Sequence, residues 1–372
     1  MARPIRVGLI GAGGIARGYH IPSYRRCEDV DIVAACDVSQ DALELLRTQF
    51  GIERLYTDYA EMLSQEELDL VSICTSNDMH YPAAMAAMAH GVNVYCEKPL
   101  ALTVSQARRM AEEAEARGIK TGVNFSHRRT PAAMLAKEIL DSGALGAIYY
   151  TSAVYAAGGT NYAARPGTWR NMREKAGYGG LGDMGSHIID MMMWFLKREI
   201  VEVACRTRTF VPERIARDTG QPMRVTTEDQ GMMLVTYADG TMGYICGSYT
   251  FTGRGYDQRI EIFGQNGGLM YDQQHPYELQ VYLPQEVLSR YTVLREGGTK
   301  DRPYTTILVP ERLQGLIPGS PARRTVLMDF IDAYRAEGPF SFSPGFREGL
   351  KVQEVLEAGR RAEETRSWVS LK

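Results

Sequence analysis

Two segments hold residue types that move protons. Glu97-Lys98-Pro99 follows an apolar run and sets a lysine where the pattern ends a strand. Proline disfavours helical dihedrals at the residue before it, so Lys98 is held extended, and a partly desolvated ammonium there can hydrogen-bond a substrate oxygen or exchange a proton with it. The second segment is Gly179-Gly180-Leu181-Gly182-Asp183-Met184-Gly185-Ser186-His187. In a helix that starts near Asp183, Asp183 and His187 stand four apart on one face, within reach of one small ligand. The carboxylate can orient and polarise the imidazole, and an imidazole titrates close enough to neutrality to take a hydroxyl proton. Taken singly, a strand-end lysine, an N-cap aspartate and a core histidine account for the same residues. What sets them apart is a third element.

That element is a dinucleotide clasp. The apolar run Val7 to Ile10 enters Gly11-Ala12-Gly13-Gly14-Ile15-Ala16, and a second run, Ile32 to Cys36, ends on Asp37. Gly11 permits the tight turn, Gly13 lets backbone N–H groups approach a pyrophosphate, and Ala16 lets the next helix pack closely. Asp37 follows Ala16 by 21 residues, the spacing of a carboxylate that binds the adenosine ribose. Such a carboxylate repels a 2′-phosphate, and position 38 is valine rather than arginine, so NAD is expected over NADP. Arg17 and Arg47 are the residues that could approach such a phosphate in space.

Ligands of an open parallel sheet bind beyond the carboxyl ends of its strands. Along that edge fall Asp37, Thr75, Ser76, Asn77, His80, Glu97, Lys98 and Asn124, with Gly11, Gly13, Gly14 and Ile15 in the turn. These are the expected cofactor-binding residues. Ser76 and Asn77 serve equally as helix caps, a role compatible with the first. On the substrate side, Trp169 and Arg170 offer an aromatic face and a guanidinium to a ligand, and Arg128 lies in the polar stretch after Asn124.

Up to about residue 124, short apolar strands alternate with amphipathic helices, which implies a parallel sheet covered on both faces. Beyond it, Ala238-Asp239-Gly240 and Gln265-Asn266-Gly267 punctuate alternating apolar runs, the signature of antiparallel hairpins. The expected class is therefore α/β: a doubly wound dinucleotide domain over 1–124, then an α+β domain over 125–372 with an open, mostly antiparallel sheet. Residues 284 to 320 read as a loop excursion, and two closing helices are free to pack back on the first domain. The chain has 372 residues and a net charge of −3. Its basic residues are scattered, which argues against nucleic acid as a partner. No apolar run reaches membrane-span length and the first strand leaves no room for a signal peptide, so a cytoplasmic protein with no membrane partner is expected. The six cysteines lack CxxC spacing and His80, His127 and His187 form no ligand cluster, so no metal is expected.

In this order the glycine turn, Glu97-Lys98-Pro99-Leu100 and Asp183-Met184-Gly185-Ser186-His187 resemble the Gfo/Idh/MocA oxidoreductases, named for glucose-fructose oxidoreductase and inositol dehydrogenase. The resemblance covers nearly the whole chain. It implies a Rossmann domain, a second domain whose sheet pairs across subunits into a homodimer or homotetramer, and hydride exchange between NAD and a hydroxyl-bearing carbon of a sugar, sugar derivative or cyclitol. It also implies that Lys98, Asp183 and His187 form a catalytic trio on one substrate hydroxyl, with either His187 or Lys98 as the base. Two other readings share the same residues: an NAD-retaining lyase or hydrolase that oxidises its sugar transiently, and an NAD-bound sensor without chemistry.

Overall fold

The computed structural model describes residues 3–159, 162–297, 304–317 and 322–371. The chain divides into two compact units. One takes the chain up to Ser126, with Glu174–Gly177 and Arg324–Gln353, and the other takes His127–Arg173, Tyr178–Arg323 and Glu354 onward.

The first unit is built on six strands: β1 (Ile5–Ile10), β2 (Val30–Cys36), β3 (Arg54–Tyr56), β4 (Leu70–Ile73), β5 (Asn93–Cys96) and β6 (Thr121–Val123). They lie in the order β3-β2-β1-β4-β5-β6, and each pairing is parallel. The order reverses between β1 and β4, the switch point at which such sheets bind ligands. Continuous burial of β4 follows from its apolar residues and from cover on both faces. Val7, Leu9, Tyr24, Leu46 and Tyr95 share a core with Leu327, Phe330 and Ile331 of the late helix Val326–Arg335. Thr325 caps that helix by accepting the Met328 N–H.

The second unit carries a sheet of ten strands: β7 (Ile148–Ala156), β8 (Ile200–Arg208), β11 (Gln230–Tyr237), β12 (Met242–Ser248), β13 (Asp257–Gly264), β14 (Gly268–Asp272), β15 (Glu278–Tyr282), β16 (Val293–Glu296), β17 (Thr305–Leu308) and β18 (Val369–Ser370). A separate hairpin pairs β9 (Glu213–Ile215) with β10 (Pro222–Arg224). The large sheet runs β16-β17-β15-β14-β13-β7-β12-β11-β8-β18, antiparallel except for the β7–β12 pair. The expected hairpins are present, and Gly240 adopts φ +86° in the turn between β11 and β12. The segment expected as a loop over 284–320 instead supplies β16 and β17. Their alternation is too short to stand out beside Pro, Gly and charge, but pairing with β15 recruits them. Along β11, Met233, Val235 and Tyr237 are buried while Met232 and Leu234 are exposed, the period of a sheet with one covered face.

Among the described residues no helix is long and apolar enough to cross a membrane. All six cysteines are free.

Candidate active site

In the first unit the glycine turn is shaped by close contact. Gly11 has φ +100°, and a Cβ there would sit 2.7 Å from the carbonyl carbon of Cys74, so no other residue fits. At Gly13 and Gly14 a Cβ would meet nothing within 4 Å. This open ground at the start of a helix, where N–H groups lack partners, fits the pyrophosphate of a dinucleotide. Ile15 is 41% exposed beside it. The helix that follows contains a wide π-helical turn over Ala16–His20.

Asp37 ties the turn to the end of β2. One carboxylate oxygen accepts the Ala12 N–H at 2.7 Å and the other accepts the Ser39 N–H at 2.9 Å. Each oxygen keeps a lone pair for a ribose hydroxyl. Arg47 is committed elsewhere, to Glu44 at 2.9 Å and Glu53 at 3.7 Å.

The ends of β4, β5 and β6 bring the remaining expected residues of this unit to one edge, but several turn inward. Ser76 Oγ donates to Asp78 at 2.5 Å, Thr75 Oγ1 donates to the Ser76 carbonyl, and the buried Asn77 donates to the Ala176 carbonyl at 2.9 Å. His80 is fully buried, and its Nδ1–H donates to the Pro99 carbonyl at 2.9 Å. Burial pushes its pKa down, so a neutral ring braces the loop that carries Lys98.

Glu97 is the centre of a buried network. Its Oε1 accepts from His20 Nε2 at 2.8 Å and from Asn124 Nδ2 at 2.6 Å, and its Oε2 lies 3.2 Å from the Lys98 N–H. His20 reaches Ser72 through Nδ1 at 2.7 Å, and Tyr95 donates to Asn124 at 3.0 Å. Burial alone would push the Glu97 carboxyl up, but the hydrogen bond and charge of His20, with Lys98 and Asn124, outweigh it and hold the group below the usual carboxylate range. Glu97 and Asn124 therefore fix the tip of β5, where the half-buried Lys98 begins a cis Lys98–Pro99 peptide. His20, Ser72 and Tyr95 are the members of this network that the sequence did not disclose.

In the second unit the glycines before Asp183 have a packing cause. A Cβ on Gly179 would lie 1.9 Å from the Glu228 carbonyl oxygen, and one on Gly180 would lie 2.5 Å from that of Asp229. Only glycine lets this helix start approach the chain entering β11. Glu228 meets it with three acceptor contacts: Oε1 takes the N–H of Gly179 at 2.7 Å and of Leu181 at 3.1 Å, and the carbonyl takes the N–H of Gly180 at 2.9 Å. Burial raises the pKa of the Glu228 carboxyl. No motif pointed to Glu228, because its partner is backbone.

The first turn, Leu181–Gly185, is again π-helical and runs directly into the helix Ser186–Leu196. Asp183 and His187 share one face across that junction. Asp183 Oδ2 accepts from the Tyr249 hydroxyl at 2.9 Å and lies 3.5 Å from Arg170 Nε. Burial and the adjacent Asp183 charge push the Tyr249 hydroxyl well above its usual value, so it stays a donor. Arg170 also stacks its guanidinium 4.3 Å from the Trp169 ring centre, and the short helix holding both is capped by Thr168 and Asn171. The structure thus brings Trp169, Arg170 and Asp183 together, with His187 four residues further along the same helical run.

Arg128 is turned into the core instead. It forks onto Asp190 with bonds of 2.7 and 2.5 Å, both side chains buried, and lies 5.5 Å from the Trp194 ring. The residue before it faces the site. His127 sets its ring 4.1 Å from that of His187.

A doubly wound sheet with a glycine clasp and ribose-side acid, joined in one chain to an Asp–imidazole helix face, defines a dinucleotide-dependent oxidoreductase. Residues 5–125 match the model described as an oxidoreductase family with an NAD-binding Rossmann fold, and residues 134–270 match the GFO/IDH/MocA C-terminal domain. The chain belongs to the Gfo/Idh/MocA family and is an NAD-binding enzyme. It is 28% identical to levoglucosan dehydrogenase of Pseudarthrobacter phenanthrenivorans over 99% of this chain and 98% of that one. It is 34% identical to D-glucoside 3-dehydrogenase of Escherichia coli over 52% of this chain and 54% of that one. Among solved structures, the NADH complex of levoglucosan dehydrogenase superposes with a TM-score of 0.86 at 26% identity, covering 100% of both chains.

Proposed function

We propose that this enzyme oxidises a hydroxyl-bearing carbon of a sugar, sugar derivative or cyclitol, reversibly and with NAD, and that Lys98, Asp183 and His187 handle the hydroxyl. The observation that carries the reading is the Asp183–His187 pair on one helix face, with Asp183 held by Tyr249 and Arg170. When bound, NAD supplies the acceptor for the hydride leaving the carbon. Gly11, Gly13, Gly14 and Ile15 hold its pyrophosphate side, Asp37 its ribose, and the Thr75–Asn77 edge the remainder, with His80, Glu97 and Asn124 acting behind that edge. His187 takes the hydroxyl proton while Asp183, four residues before it, fixes the hydroxyl-bearing substrate beside it. Lys98 donates to the same oxygen as negative charge develops there. Trp169 and Arg170 bind the sugar ring and its hydroxyls, and Arg128 acts through Asp190, about one turn on from His187 in the same helix.

The relatives act on sugars by name, as levoglucosan and D-glucoside dehydrogenases, which supports the substrate class. A homodimer or homotetramer through the large sheet accompanies this reading. Met232 (39% exposed), Leu234 (52%), Met242 (61%) and Tyr150 (43%) share its open face, an apolar patch of the kind that marks a protein interface. Free cysteines throughout fit a reducing cytoplasm. The test is absorbance at 340 nm across D-glucose, methyl β-D-glucoside, D-xylose and myo-inositol with NAD and NADP. NADH production with at least one of them is expected; flat traces with all four and both cofactors would overturn the proposal.

A further inference from the structure

We propose that His127 and Gln258 form a subsite for a second hydroxyl of the substrate, next to the one His187 deprotonates, so that the enzyme selects vicinal diols. The inference rests on the oxidoreductase reading above and adds to it a requirement on the substrate. Gln258 on β13 stands opposite Tyr155 on β7, on the sheet face that meets the His187 helix. Its Oε1 accepts the Nδ1–H of His127 at 3.2 Å, which makes Nε2 of that imidazole the acceptor in the neutral ring. The Tyr155 hydroxyl lies 3.5 Å from that Nε2. The His127 ring in turn lies 4.1 Å from the His187 ring and 5.0 Å from that of Tyr155.

Gln258 is 0% exposed, and its Nε2 has no hydrogen-bond partner among the described residues. Exchanging the two ends of the amide moves the shortfall to the oxygen without removing it. A buried amide with one unmet end is a standing cost that a ligand able to reach it would relieve. A hydroxyl suits the place because it both donates and accepts, as the imidazole and the amide do. Neighbouring hydroxyls of a sugar or cyclitol ring lie roughly a hydrogen-bond length apart, so one can face His187 while the next faces His127 and Gln258. Arg128 adds no net charge, since Asp190 matches it.

The test uses the full-length protein, the Gln258→Leu and His127→Phe variants, the best substrate among the four polyols named above, and its monodeoxy analogues. Two quantities are measured: kcat/KM at 340 nm, and calorimetric affinity for each compound in the presence of NADH. In the natural protein, deleting one hydroxyl beside the oxidised carbon is expected to cost about 100-fold in both. In Gln258→Leu that penalty is expected to shrink to about threefold or less. His127→Phe is expected to shrink it likewise, and it carries the test if the leucine variant does not fold. An unchanged penalty in the variants overturns the subsite and leaves the oxidoreductase reading standing. Absence of turnover with every polyol overturns that reading, and the subsite falls with it.

Discussion

Glu228 offers a sharp test of how the sequence places Asp183 and His187. Glu228→Leu removes the acceptor shared by the Gly179 and Leu181 N–H groups, at 2.7 and 3.1 Å, while keeping an apolar side chain of similar bulk. Each buried donor left unpaired costs about 1–3 kcal/mol, so the pair costs about 2–6 kcal/mol. Part is offset because a carboxyl disfavoured by burial is no longer there. A net loss of about 1–4 kcal/mol is expected, lowering Tm by several degrees. The helix start is also freed to move, and a displacement of about 1 Å costs about 100-fold in turnover. Glu228→Gln keeps a carbonyl oxygen for both donors, so kcat is expected to stay within about threefold.

The pH dependence separates charge from geometry in the same pair of variants. Burial raises the folded-state pKa of Glu228 above its ordinary 4.5, so between the two values the folded state holds more protons than the unfolded one. The group's contribution to stability is full below the unfolded pKa and is lost as pH rises through the folded one. Glutamine has no such loss, so the natural protein should fall relative to Glu228→Gln as pH rises from about 4.5. Thermal melts by circular dichroism at several pH values, with kcat at 340 nm, read both effects. A leucine variant with unchanged melting and turnover, or a natural protein that gains on the glutamine variant with rising pH, would refute the assigned role.

Other consequences follow from the first unit. Asp37→Ser removes the acceptor of two backbone N–H groups and the charge that repels a 2′-phosphate; kcat/KM with NAD is expected to fall at least about tenfold and the preference over NADP to narrow. Steady-state assays with both cofactors check this, and an unchanged preference contradicts it. His20→Leu leaves the buried Glu97 without its principal partner and is expected to cost about 3–5 kcal/mol. Because the Glu97 carboxyl is held below its usual range, its stabilisation exists above the unfolded pKa and is lost as pH falls through the folded one, so the variant's acid-unfolding profile should be flatter below about pH 4.5. Urea titrations at stepped pH read the difference, and parallel profiles would count against it.

The glycine clasp, Asp37, Lys98 and the Asp183–His187 spacing were legible because local rules fix them: turn, strand end and helix period each depend on neighbours in sequence. Strands β3, β14 and β15 and the β9–β10 hairpin were not singled out, since short strands are recruited by pairing with distant partners rather than by their own pattern; β8 is longer, but its buried residues Ile200, Val203 and Cys205 do not keep a strict alternation. At the site, His20, Glu228, Tyr249 and Gln258 escaped notice for a related reason. Each lies far in sequence from the group it holds, and nothing nearby marks it as polar and buried. Arg128 shows the converse, since its chemistry suited a sugar but Asp190, 62 positions on, claims it.

The most direct test of the central claim is turnover at 340 nm by Lys98→Met and His187→Asn beside the natural protein, with NADH affinity measured in parallel by fluorescence. The account predicts NADH formation from a polyol by the natural protein, a fall of at least about 1,000-fold in each variant, and NADH affinity kept within about threefold in His187→Asn. Either variant retaining more than about a tenth of the natural rate would contradict it.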